Sequence, residues 1–197
     1  MIWATPAEQA KHESFVLAPQ YAKVMSGDDY ETLIHLIDSL AGQYSIDKNR
    51  LYATGQSMGC MNEMGISIKY PDLFAAMMLV AGQWDAQATS VLANKKMWVL
   101  VAEGDTGAFP GMNASVAVWE AAGTKISKAR WNGRAGAAEN AASVKKMLDE
   151  GNNIKYVVFD KGTVWPEGVT GGMEHMQIWK VAYYIEGVRD WLFAQRK

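Results

Sequence analysis

Apolar residues along the chain fall into two alternating patterns, short unbroken runs and longer stretches with a spacing of three or four. The runs FVLA (15–18), RLYATG (50–55), AAMMLVAG (75–82), MWVLVAEG (97–104) and IKYVVF (154–159) predict strands, and ISKARW (126–131) a weaker one. The runs at 75–82 and 97–104 are almost wholly apolar and end in glycine, as strands buried on both faces of a parallel sheet do. Between the runs lie amphipathic segments. Residues 28–44 place Leu33, Ile34, Ile37, Leu40, Ala41 and Tyr44 at helical spacing, with Asp28 or Asp29 near the N-cap. Helices are predicted likewise from Ser57 to the residue before Pro71, over 111–123 and over 136–151. A terminal helix is predicted from about His175 to Gln195, with Ile178, Val181, Ala182, Ile185, Val188 and Leu192 along one stripe.

Strands alternating with helices predict an α/β fold, a three-layer α/β/α arrangement around a mostly parallel sheet with right-handed crossovers. No linker, repeat or low-complexity segment interrupts the 197 residues, so one domain over 1–197 is expected. Hydrophobic residues at 49% and charged residues at 20% are globular proportions. A net charge of −2 with scattered Lys and Arg gives no footprint for nucleic acid. No apolar run has the length of a membrane span, and the N-terminal residues carry no signal-peptide core.

Cys60 is the single cysteine, which excludes an internal disulfide and a cysteine-built metal site. His12, His35 and His175 form no H-x-x-x-H pair, so no zinc site is expected. No phosphate-cradling glycine motif calls for a nucleotide, and no cofactor is expected. Twelve Met and eight Trp are mainly core material, with a few able to line a pocket for an apolar or aromatic ligand.

In a parallel α/β sheet, ligands bind outside the carboxyl ends of the strands. Ser57 follows the run at 50–55 within Gly55-Gln56-Ser57-Met58-Gly59, at a strand-to-helix junction. The glycines predict a tight turn that holds the hydroxyl clear of the sheet, a β-carbon at either one colliding with the neighbouring strand or helix. Asp105 follows the run at 97–102, and His175 follows the last strand and the loop TVWPEGVTGGME (163–174). Serine, aspartate and histidine thus stand at one rim of the inferred sheet. A serine hydroxyl is a weak nucleophile until a histidine takes its proton, and an aspartate fixes that histidine's other nitrogen. The amide of Met58, at the helix start, is placed to donate to an oxyanion. Glu103, Asp85 and Asp160 also follow strands and compete with Asp105. His12 and His35 are expected at the surface, and Cys60 buried and inert. Gln56, Trp84 and Trp165 are the expected substrate-lining residues; Met112 and Met173 also fall on that side.

The segments FVLAPQY, SIDKNRLYATGQSMGCM, YPDLFAAMMLVAGQW, VAEGD and MEHMQIW, which together cover most of the chain, resemble α/β-hydrolase-fold serine hydrolases. The resemblance is strongest to the small esterase and predicted-peptidase branch, with feruloyl and acetylxylan esterases and polyhydroxyalkanoate depolymerases among its members. It implies Ser57 as nucleophile, His175 as base, Asp105 as acid, and an ester substrate with a small or aromatic acyl group, such as one on plant polysaccharide. It also implies a sheet shortened at its N-terminal end. The family's His-Gly segment, whose neighbouring amide is the second oxyanion donor, has no counterpart here, nor do the family's first strands. Three arrangements follow: a longer parent chain, a strand supplied from elsewhere, or direct pairing of FVLA with LYATG. An exposed sheet edge would favour self-association into a homo-oligomer. Two other functions compete with the esterase: a serine peptidase of prolyl-oligopeptidase type using the same triad, and a non-catalytic hydrolase-fold module.

Overall fold

Along the chain, the apolar runs from residue 50 onward become strands, and a helix or turn carries the chain from each strand to the start of the next. The computed structural model describes residues 1–169 and 171–197; Thr170, within the glycine-rich loop, lies outside the described residues. The strands are β1 (Tyr52–Gln56), β2 (Ala76–Val80), β3 (Met97–Ala102), β4 (Ile126–Trp131) and β5 (Ile154–Phe159). They form one parallel sheet in the order β1-β2-β3-β5-β4. Every residue of β2, β3 and β5 is buried, which is why these segments carry no polar alternation. β1 and β4 are the edges and are buried only in part.

The helices are α1 (Pro6–Lys11), α2 (Asp28–Gln43), α3 (Met58–Lys69), α4 (Ala108–Ala121), α5 (Ala137–Asp149), α6 (Trp179–Ala182) and α7 (Glu186–Phe193). The β1-to-β2 and β3-to-β4 crossovers run one way across the sheet and β4-to-β5 runs back. Right-handed connections therefore put α3 and α4 on one face and α5 on the other. The packing agrees: α3 and α4 both contact the turn Ala88–Leu92, while α5 packs against α7. The result is the three-layer α/β/α fold, with its main core between the layers around Trp98, Leu100, Val157 and Phe159.

Two expectations from the sequence are corrected, and one element is added to them. FVLA is not a strand: residues 13–21 carry no regular structure, and Phe15 is 62% exposed, its ring resting near Tyr44. A four-residue run stopped by Pro19 is stable as a strand only beside a partner, and β1 pairs with β2 alone among the described residues. FVLA therefore does not pair with LYATG.

The terminal helix is broken rather than continuous. After the turn Glu174–Met176 it forms α6, opens at Ile185 in an extended conformation, and resumes as α7. The stripe Ile178, Ala182, Ile185, Val188 and Leu192 is buried as its spacing predicts. The interruption has a tertiary cause, because buried Arg189 donates from Nη1 to the Tyr183 carbonyl at 2.7 Å and from Nε to Glu8 at 2.9 Å.

The added element is one the hydrophobic pattern missed. α1 has little apolar periodicity, yet Thr5 caps it by accepting from the Glu8 amide, with Pro6 in its first turn. Thr-Pro-x-Glu is a capping signal legible in the sequence.

Candidate active site

Gly55 makes the turn after β1 possible. A β-carbon there would lie 2.2 Å from the Gly59 carbonyl carbon and 2.5 Å from the Cys60 nitrogen, both backbone atoms. Only glycine lets α3 start so close to the strand it leaves. Gly59 is different: a β-carbon at that position meets nothing within 4 Å. The expectation of a clash at both glycines thus holds only for Gly55, because the approach is made by the backbone of residue 59. Between them Ser57 adopts φ 56° and ψ −119°, and its amide donates to the Val80 carbonyl at 3.0 Å. The strained turn tips the side chain away from both strand and helix. Met58 is the first residue of α3, so its N–H has no acceptor within the helix and is free to serve an anion.

Asp105 is buried (5% exposed) just beyond β3. Its Oδ1 accepts from the amides of Gly107 (3.1 Å) and Ala108 (2.9 Å), which fixes the carboxyl at the start of α4. Its Oδ2 stands 2.5 Å from Nδ1 of His175, and Nε2 of His175 stands 2.7 Å from Oγ of Ser57. Ser57 leaves β1 and Asp105 leaves β3, two strands apart and so roughly 10 Å between backbones. The imidazole fills the distance between their side chains. The Gln56 side chain holds the main chain of His175, donating from Nε2 to its carbonyl at 3.0 Å.

The rival acids are engaged elsewhere. Glu103 and Asp160 pair with Arg130 at 2.6 and 2.9 Å, and Asp85 accepts from the Ala88 amide. His35 is exposed, and His12 stacks on Phe193 and binds Asp190 at 2.8 Å. Cys60 is wholly buried, and burial pushes its thiol well above the usual range. Among the described residues no cluster of three His, Cys, Asp or Glu could hold a metal ion.

The expected substrate-lining residues divide. Trp165 lines a depression of about 460 Å³ together with Gly104, Arg134, Lys161, Gly162 and Glu174. Trp84 lays its ring against α3 at Gly65, beside Tyr30. Met112 is fully buried inside the α4 layer, whereas Met173 is 65% exposed. Met58 and Met176, next in sequence to Ser57 and His175, expose large apolar side chains that no sequence pattern singles out. Sequence reasoning also missed Glu174, a buried carboxyl next to His175. Its signal was weak, since its partners are backbone amides.

Residues 18–107 match the prolyl oligopeptidase family model. No curated protein sequence matches the chain significantly. Among solved structures, a thermostable esterase superposes with a TM-score of 0.70 at 24% identity. That match covers 100% of this chain and 48% of the esterase chain, so the protein spans about half the length of that structure. The parallel sheet, the serine on its strained strand-to-helix turn and these two matches together lead to one conclusion: the chain has the α/β-hydrolase fold, and its residues 18–107 are similar to the prolyl oligopeptidase family.

Proposed function

We propose that the protein is a serine hydrolase that cleaves carboxylic esters through an acyl-enzyme, without a cofactor. The observation that carries this reading is the unbroken chain Ser57 Oγ, His175 Nε2, His175 Nδ1 and Asp105 Oδ2, with contacts of 2.7 and 2.5 Å. His175 takes the Ser57 proton through Nε2 as Oγ attacks the acyl carbon. The imidazolium that forms is stabilised by Asp105, and the new oxyanion accepts from the Met58 amide. Collapse of the tetrahedral intermediate expels the alcohol, which receives its proton from His175. Water then repeats the sequence on the acyl-enzyme and frees Ser57.

A small or aromatic acyl group suits the apolar surroundings that Met58, Met176 and Trp165 offer. The test is labelling by a fluorophosphonate probe together with hydrolysis of p-nitrophenyl acetate. Ser57→Ala is expected to abolish labelling and to lower kcat by about 10⁴–10⁶-fold. Labelling that persists in Ser57→Ala, or none in the folded parent, would refute the reading.

The second reading is a serine peptidase, favoured by the match of residues 18–107 to the prolyl oligopeptidase family. It uses the same three side chains on an amide, whose poorer leaving group makes proton donation by His175 more demanding. Turnover of a dipeptide anilide faster than p-nitrophenyl acetate would favour it over the esterase.

A further inference from the structure

Glu174 opens the short turn Glu174–Met176 that carries His175, and it is buried at 7% exposure. Its Oε2 accepts the Gly104 amide at 2.9 Å, and its Oε1 accepts the Gly162 amide at 2.6 Å. These two amides belong to different parts of the rim. Gly104 immediately precedes Asp105, two residues past the end of β3. Gly162 lies in the turn after β5, where the loop that returns to His175 begins.

One carboxyl therefore joins the residue beside the acid, the base of the loop and the residue beside the histidine. The glycine at 104 fits the same design. A β-carbon there would fall 2.3 Å from the Glu174 carboxyl carbon and within 2.5 Å of both its oxygens. The backbone at 104 is not left-handed, so glycine is required there for space rather than for conformation. Gln56 holds the main chain of His175 from the β1 side at 3.0 Å, and Glu174 holds it from the β3 and β5 side. The imidazole meets its two partners at 2.7 and 2.5 Å, so it has little slack to absorb a shift of its backbone.

We infer that Glu174 is a positioning residue of the triad, holding His175 in register with Asp105 and Ser57 by binding the amides of Gly104 and Gly162. This rests on the hydrolase reading and adds to it a residue that acts through His175. Misplacing a reacting group by about 1 Å can cost roughly 100-fold in rate while leaving substrate affinity nearly intact. A carboxyl that only stabilised the fold would change the melting temperature and leave the rate of the folded enzyme alone.

The experiment compares Glu174→Gln, Glu174→Ala, Gly104→Ala and the double variant Gly104→Ala/Glu174→Ala. It reads kcat and KM for p-nitrophenyl acetate and the rate of fluorophosphonate capture by Ser57, with melting curves to confirm folding. Glutamine keeps one carbonyl acceptor and turns an NH₂ toward the other amide, so kcat is expected to fall about tenfold. Glu174→Ala loses both bonds and is expected to lower kcat and the capture rate about 100-fold, with KM changed by less than about threefold. Gly104→Ala is expected to be damaging where Glu174 is present and to add no further loss in Glu174→Ala, where the space is vacated.

A folded Glu174→Ala enzyme that is captured and turns over like the parent would overturn the inference. So would a Gly104→Ala loss of the same factor in both backgrounds. Should Glu174→Ala not fold, Glu174→Gln decides, and unchanged kcat there overturns the inference equally. If the parent itself escapes capture, the hydrolase reading fails. If the parent is captured and Glu174→Ala is captured equally fast, only the role of Glu174 fails.

Discussion

Ser57 and Glu63 both lie within reach of the β1-to-α3 turn, and each carries a local cost. Ser57 holds a positive φ that a β-carbon disfavours, a strain of about 1–3 kcal/mol that the surrounding packing must offset. Glu63 is one and a half turns further along α3, and neither of its carboxyl oxygens has a hydrogen-bond partner among the described residues. Burial pushes this carboxyl well above the usual range, and the nearby amides of Met78 and Gly55 oppose that only in part. The consequence for stability has a definite sign. In the unfolded chain Glu63 ionises above about pH 4.3, while in the folded protein burial makes it hold its proton to higher pH. The unfolded state thus binds fewer protons, and the Glu63 contribution to stability falls as pH rises above that point. Glu63→Gln is expected to raise the melting temperature by a few °C near pH 8, with the gain shrinking toward about pH 4. Thermal melts of parent and variant across that range check it; a gain independent of pH would mean that the Glu63 proton is not its source.

At the scale of the element, the strand-turn-helix unit tests how unequal its two glycines are. Gly55→Ala forces a β-carbon onto the backbone of residues 59 and 60 and is expected to cost about 3 kcal/mol or more. Gly59→Ala meets open space inside a helix and is expected to be neutral or stabilising by up to about 1 kcal/mol. Urea denaturation of the two variants separates them, and equal losses would mean that the close approach does not govern the turn. The symmetric Gly-x-Ser-x-Gly pattern conceals this difference, because spacing records which residues are glycine and not which backbone each one faces. Helix α4 makes a similar point. The pattern predicts its start at Gly111, yet it begins at Ala108 because Asp105 accepts the Gly107 and Ala108 amides and Pro110 is tolerated in a first turn.

Across the whole molecule, the two ends of the chain are fastened to each other. Glu8 in α1 and Arg189 in α7 form a buried ion pair at 2.9 Å, with side chains only 4% and 8% exposed. His12 adds a stack on Phe193 and a contact with Asp190. Removing one partner of a buried pair leaves the other charge stranded, so Glu8→Ala is expected to lose about 3–5 kcal/mol. The paired replacement Glu8→Leu/Arg189→Met is expected to lose much less, since no charge is left without a partner. Denaturation midpoints of the single and double variants test this, and a Glu8→Ala loss below about 1 kcal/mol would show that the pair does not fasten the termini.

The sequence by itself determined the buried strands, the helices between them and the rim at which chemistry-bearing residues collect. Those features depend on local pattern: apolar runs, helical spacing, and a serine between glycines after a strand. Its resemblance to a known fold then singled out Ser57, Asp105 and His175 from their rivals. Tertiary structure decided what depends on partners distant in the chain. FVLA has the composition of a strand but no strand beside it, and the last helix has an unbroken stripe but yields at Tyr183–Ile185 to Arg189. Glu174 looks like any polar residue until Gly104 and Gly162, 70 and 12 positions away, present their amides to it. Any residue but proline can donate a backbone amide, and the glycine that Glu174 requires at 104 reads in the sequence like any other glycine after a strand, so the pattern did not announce that contact.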